Sequence, residues 1–150
     1  MTPCEVRAVK RQLESYQDLL AMAAEKDREA LMLQEKYEDL ATPGAISYSH
    51  EPGGSGSGKT KESIYLEIFS EQADAERKAA QYRFEAEQIK KFIERIEDEA
   101  QDILIRAYIK GERYWKIGES LNYSKDGIRS KIDRCLSRVP SSLAEASGLI

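Results

Sequence analysis

The sequence predicts an all-α protein in which two long, heptad-patterned helices, paired as a hairpin or a coiled coil, are followed by a C-terminal helix-turn-helix. Three observations support this fold class. Only four prolines occur among 150 residues, apolar residues recur at alternating intervals of three and four, and charged residues make up 33% of the chain. Such intervals are typical of helices that pair along a seam, and this many charges suit long solvated helices better than a thick core.

The first long helix is predicted over residues 1–41. Pro3 stands where a helix tolerates proline in its first turn, and no glycine occurs between Cys4 and Leu40. Apolar or small residues then recur in the pattern of a heptad seam. The seam positions are Val6, Val9, Leu13, Tyr16, Leu20 and Ala23, followed after a break at Asp27 by Leu31, Leu33, Tyr37 and Leu40.

A flexible linker is predicted over residues 42–59, because dense glycine and serine make a mobile chain. A second long helix then begins at Thr60 and extends to residue 100. At ~1.5 Å per residue, the stretch 60–98 would be about 58 Å long, so we expect it to pair with the first helix or with a second copy of the chain. Its seam positions are Tyr65, Ile68, Gln72, Ala75, Ala79, Tyr82, Ala86, Ile89, Ile93, Ile96, Ala100 and Ile103.

The linker contains a sequence that matches the phosphate-binding pattern G-x-x-x-x-G-K-[ST] between Gly53 and Thr60. A phosphate-binding loop of that kind needs a buried strand before it, whereas the preceding residues are ISYSHEP. We therefore expect Thr60 to be the N-cap of the second helix, with Glu62 near its positive end. Neither catalysis nor a cofactor is expected. A P-loop nucleotide-binding protein remains a further alternative, and it would require ATP binding that Lys59→Ala abolishes.

Residues 101–140 contain two short amphipathic segments separated by Asn122, Tyr123 and Ser124. Gly118 is expected at a close approach between the segments, and Ser124 is a good N-cap for the second. This pattern is typical of a helix-turn-helix. The region holds nine Lys/Arg against five Asp/Glu, whereas residues 1–100 hold 14 against 21. Such a local basic excess favours double-stranded DNA as the partner. The residues expected on the apolar face of the last helix are Ile128, Ile132, Cys135, Leu136 and Val139.

Residues that point away from this apolar face are candidates for DNA contact. Arg129 can fork onto guanine and Asp126 can accept from cytosine, while Lys125 and Ser130 are more permissive. Basic side chains before and after these four residues are expected to contact DNA phosphates. They are Lys110, Arg113, Lys116, Arg134 and Arg138. Tyr114 and Trp115 could stack on bases, but we expect at least one of them to pack inside, because aromatic residues at helical spacing are usually buried.

The motifs of residues 101–140 resemble, in combination, the DNA-binding C-terminal domain of bacterial sigma factors. More narrowly, they resemble the ArpU/RinA-type family of phage and prophage late transcriptional regulators, over roughly residues 46–139. The residues that carry the resemblance are Arg106, Tyr108, Gly111, Trp115, Ile117, Gly118, Tyr123, Ser124 and Ile128. The resemblance implies that Lys125, Asp126, Arg129 and Ser130 read base edges in the major groove. It also implies late-gene regulation in a bacterial host, with host RNA polymerase as a further partner.

No apolar run approaches the ~18 residues of a membrane span, and the N-terminus lacks the apolar core of a signal peptide. We therefore expect a cytoplasmic protein without a membrane partner. Cys4 and Cys135 lie far apart in sequence, and neither has other metal-binding residues near it, so neither a metal site nor a disulfide is expected.

Residues 141–150 are predicted to be a flexible tail. A homodimer is the expected assembly, and a small-terminase-like DNA-packaging protein, which would form a ring, is the alternative function.

Overall fold

The computed structural model describes residues 1–41 and 60–150 of the chain. No strand occurs in these two ranges, so the all-α prediction is confirmed for them. The predicted linker 42–59, with most of the phosphate-binding pattern, lies outside the described residues. The helices are α1 (Pro3–Glu14), α2 (Tyr16–Ala41), α3 (Lys61–Glu94), α4 (Gln101–Leu104), a π-helix (Ile105–Ile109), α5 (Tyr114–Leu121), α6 (Lys125–Arg138) and α7 (Ser141–Ala146).

The chain divides into two compact units. One unit comprises Met1–Ala21 and Arg83–Ile150, and the other comprises Met22–Tyr82. We call them the terminal unit and the hairpin unit.

Within the described residues, no helix combines the length and the apolar character that crossing a membrane requires.

In the hairpin unit, segments of α2 and α3 pair antiparallel within the chain. The hydroxyl of Tyr65 donates to the Leu40 carbonyl at 3.1 Å, and the amide of Gln72 donates to Gln34 Oε1 at 2.9 Å. The Tyr37 ring packs against Tyr65 at 5.3 Å between ring centroids. Pairing between these segments is therefore intramolecular. Small side chains line much of the seam, and its buried residues are Ala23, Ala30, Ile68, Ala75 and Ala79.

The predicted seam of the second helix agrees with the observed burial, whereas that of the first agrees only in part. In α3 every predicted seam position is buried or half-buried, and the hydroxyl of Thr60 accepts from the Ser63 N–H at 3.1 Å, as an N-cap does. In α2 the prediction is wrong at Leu20 and Leu31, which are exposed, while Leu19 and Ala30 are buried in their place.

The first predicted helix is interrupted at Ser15. Its N–H bonds to the Gln12 carbonyl at 3.1 Å, and its hydroxyl donates to the same carbonyl at 2.6 Å. A serine hydroxyl that bonds to the preceding turn competes with the regular helical ladder. Helix α1 therefore ends at Glu14, and α2 begins at Tyr16, with Leu19 buried and Leu20 exposed.

The second predicted helix ends at Glu94 rather than near residue 100. The side-chain amide of Gln101 donates to the carbonyls of Ile93 and Glu94 at 3.0 and 2.9 Å, so it caps the last turn. Asp98 accepts from the Ala100 N–H at 2.9 Å and shapes the turn that follows. The chain can then enter α4 with Ile96, Ala100 and Ile103 still buried.

The last ten residues differ from the predicted flexible tail. Six of them, Ser141–Ala146, form α7, which buries Ala144 completely, and Leu149 beyond the helix is also buried. The Ser141 hydroxyl donates to Glu5 of α1 at 2.9 Å. This hydrogen bond joins residues 136 positions apart, so the C-terminal segment is an integral part of the terminal unit.

Candidate nucleic-acid interface

The connection between α5 and α6 is a tight turn with a close backbone approach. Asn122 adopts a left-handed conformation with φ of 62°, and the Tyr123 N–H donates to the Gly118 carbonyl at 2.8 Å. A Cβ atom on Gly118 would lie only 2.3 Å from the carbonyl oxygen of Tyr123. The predicted requirement for glycine at position 118 is therefore confirmed, although the close contact is with the turn rather than with α6.

Helix α6 begins with the predicted cap. The Ser124 hydroxyl accepts from the Gly127 N–H at 2.9 Å, and the Ser124 carbonyl accepts from the Ile128 N–H at 3.0 Å. Val139, just beyond the end of the helix, is also buried, so the predicted apolar face is confirmed. The residues of that face inside the helix have no exposed area, and they are Ile128, Ile132, Cys135 and Leu136.

The opposite side of α6 is open to solvent. The four residues predicted to read bases are exposed, and they are Lys125, Asp126, Arg129 and Ser130. The residues predicted to meet phosphates are exposed as well, and they are Lys110, Arg113, Lys116, Arg134 and Arg138. Asp126 and Arg129 approach each other at 3.7 Å, with side chains 88% and 51% exposed. An ion pair this open contributes little to stability, so the Arg129 guanidinium can be released to a ligand at small cost.

The predicted residues divide between two grooves. Lys125 and Arg129 line a groove of about 460 Å³ together with Arg113, Tyr114 and Trp115. Arg134 lies in a second groove of about 420 Å³ on the other flank of α6. Lys116 lines neither of these two grooves.

In the first groove, the two neighbouring aromatic residues have different roles. Tyr114 is half-buried, and its hydroxyl shares a hydrogen bond of 2.8 Å with Tyr108, whose pKa is raised by burial and by this bond. Trp115 is 55% exposed. The prediction that at least one of the pair packs inside is therefore confirmed, with Tyr114 as the packed residue.

The second groove contains a basic residue that the sequence reasoning missed. Lys131 lies 4.4 Å from the centre of the Tyr123 ring, in cation–π geometry. Arg138 also lines this groove and pairs with Asp98 at 3.3 Å. Lys131 could have been found from its residue type and its place directly before Ile132, because a lysine is almost never fully buried and adjacent helical residues point in different directions.

The helix α5 is held in place by polar contacts that no spacing in the sequence signals. Arg106, in the π-helix, donates to Glu112 at 2.6 Å and to the Ser120 hydroxyl at 3.3 Å. The hydrogen bond from Arg106 holds the pKa of the Glu112 carboxyl below its usual range. Gln17 of α2 donates to the Ile109 carbonyl at 2.5 Å. These contacts fix the segment that leads into α5.

In the described part of the chain, the side chains relevant to metal binding and to thiol chemistry are the two cysteines and the acidic residues. No group of three or more potential metal-binding side chains occurs there. Cys4 is exposed and Cys135 is buried, and both thiols are free. Comparison with protein-family models, with curated sequences and with solved structures finds no match for this chain. Its function must therefore be inferred from its own residues.

Proposed function

We propose that the protein is a sequence-specific, double-stranded DNA-binding transcriptional regulator of phage or prophage late genes. In this proposal α5, the turn at residues 122–124 and α6 form a helix-turn-helix, and α6 enters the major groove. The observation that supports it best is the division of α6 into an inner face with no exposed area and an open face bearing Lys125, Asp126, Arg129 and Ser130. The late-gene role, the bacterial cytoplasm and host RNA polymerase as a partner rest on the family resemblance alone.

The size and chemistry of α6 suit this role. Its 14 residues extend about 21 Å at ~1.5 Å per residue, and the major groove of B-DNA admits an α-helix. Arg129 stands near the N-terminal end of α6, which is the part that contacts base edges in helix-turn-helix proteins. Its planar donor fork matches O6 and N7 of guanine. Lys116 and Arg134 supply charge for phosphate oxygens on either side.

Arg129→Ala is the decisive variant. We expect it to weaken binding to the preferred duplex by about 1–3 kcal/mol and to relax base preference at one position, because a base-reading contact is lost. The preferred duplex is obtained first, by selection from random or phage-genome fragments at two salt concentrations. Affinities are then measured by fluorescence anisotropy of labelled duplexes.

Arg77→Ala is the matched control, because it also removes an exposed, ion-paired arginine, but from the hairpin unit. It should leave affinity and base preference unchanged. Equal affinity for all duplex sequences, unaltered by Arg129→Ala, would refute sequence-specific reading by α6.

We also propose a homodimer, since two copies of α6 would read two half-sites and double the phosphate contacts. The two seams pair within the chain along α2 and α3, so a dimer needs other apolar surface. Large exposed apolar residues of the hairpin unit support such a surface, and they are Leu31, Met32 and Leu66, which are 58%, 69% and 70% exposed. Sedimentation equilibrium should yield twice the chain mass. A large ring would instead favour a DNA-packaging recognition protein.

A further inference from the structure

Trp115 is the single tryptophan of the chain, and it lies on the second residue of α5 with 55% of its surface exposed. Single exposed apolar residues are common on protein surfaces. An indole combines a broad apolar face with one N–H donor, so it fits partners that are partly apolar and partly polar. The residues around Trp115 indicate which partner of that kind it meets.

Three cations line the same groove as Trp115, namely Arg113, Lys125 and Arg129. Among the described residues, no ion pair involves Arg113 or Lys125. Two carboxylates also line the groove. Glu112 is bound by Arg106 at 2.6 Å, which leaves Glu14 as the acidic residue facing the cations. The groove therefore combines an exposed aromatic face with a net positive charge.

This groove is continuous with the proposed base-reading face, because Lys125 and Arg129 belong to both. When the second helix of a helix-turn-helix enters the major groove, the first helix of the motif crosses the sugar–phosphate backbone. Trp115 and Arg113 stand at the start of that first helix. A DNA strand offers both partners that they need, an apolar deoxyribose and a charged phosphate.

We infer that Trp115 is part of the DNA-binding surface, with its indole against a deoxyribose of the strand that passes Arg113 and Lys125. This inference rests on the proposed function and adds a positioning contact to it. Contacts to sugar and phosphate fix the orientation of a protein on the duplex but carry no sequence information directly. Trp115 therefore sets affinity without setting base preference, in contrast to Arg129.

The emission of Trp115 reports this contact in the unmodified protein. Saturation with the preferred duplex should quench or shift the emission and should protect it from acrylamide. N-acetyltryptophanamide with the same duplex corrects for absorption by DNA. Binding itself is measured separately, by anisotropy of a labelled duplex, so a missing fluorescence change cannot be confused with missing binding.

Trp115→Ala should weaken binding roughly fivefold to tenfold, or about 1–1.4 kcal/mol, equally for preferred and unrelated duplexes. The salt dependence should stay unchanged, since no charge is lost. Trp115→Phe should retain most of the affinity because an apolar ring remains. Phe84→Ala, which removes another exposed aromatic of the terminal unit, is the control and should bind normally. Circular dichroism verifies that each variant is folded.

The outcomes separate this inference from the proposed function. Tight binding with unchanged emission, unchanged acrylamide access and a neutral Trp115→Ala would overturn the contact and leave the DNA-binding proposal intact. A loss that differs between duplex sequences would also overturn it, because Trp115 would then read bases. Absence of duplex binding in the unmodified protein would overturn both.

Discussion

Gly118 determines how closely α5 approaches the turn before α6, and replacing it with alanine tests that approach. The new Cβ would lie 2.3 Å from the carbonyl oxygen of Tyr123 and 3.2 Å from its carbonyl carbon. Both neighbours are backbone atoms, so the turn has to open. Overpacking of this kind costs about 1–3 kcal/mol, and losing the hydrogen bond from Tyr123 to Gly118 costs about 1 kcal/mol. Alanine recovers about 1 kcal/mol through its higher helix propensity.

The free energy of unfolding should therefore fall by about 1–3 kcal/mol in Gly118→Ala. Urea unfolding followed by circular dichroism measures this change, and a duplex titration should reveal weaker binding because α6 is displaced relative to α5.

Gly127→Ala is the matched control, since its Cβ would meet only side-chain atoms, the nearest being Ser124 Oγ at 3.1 Å. Its propensity gain and its contact cost should nearly cancel, within about 1 kcal/mol. A Gly118→Ala protein as stable as the unmodified one would refute the close approach and the orientation of α6 that depends on it.

Two further predictions concern the turn and the thiols. Asn122 has a φ of 62°, so Asn122→Val should lower the free energy of unfolding by about 1–2 kcal/mol. Asn122→Gly should be close to neutral in the same urea assay. Equal stabilities of the two variants would contradict the left-handed turn. Burial and the nearby Asp98 charge raise the pKa of Cys135 to about 11, and the thiolate is the reactive form of cysteine. At pH 8, a thiol-specific disulfide reagent should therefore modify the exposed Cys4 quickly and Cys135 only after unfolding. Equal reaction rates for the two thiols would argue against the buried position of Cys135.

Local features of the structure followed from the sequence because they depend on residues a few positions apart. The spacing of Ile128 and Ile132 identified the inner face of α6, and Ser124 capped that helix as its residue type suggested. The α3 seam was also predicted correctly, because side chains three and four residues apart lie on one side of a helix. The same logic failed at Leu20, since it assumed that one regular helix continued through Ser15.

The candidate site was predicted only in part. Exposure of the predicted residues on α6 followed from helical periodicity, whereas their division between two grooves did not, because it depends on what packs beside α6. The sequence also left the choice between Tyr114 and Trp115 open. That choice was decided by Tyr108, whose hydroxyl engages Tyr114 and leaves Trp115 at the surface.

The sequence alone determined that the described chain is helical, where the apolar seam of α3 runs, and which side of α6 faces outward. These properties follow from helical periodicity and capping, which act over single turns. Only the tertiary structure decided that the segments around Tyr37 and Tyr65 pair within one chain, and that the last residues pack through Ser141 onto Glu5. Such contacts join residues far apart in sequence. Their energies depend on which surfaces meet, and no local pattern records that.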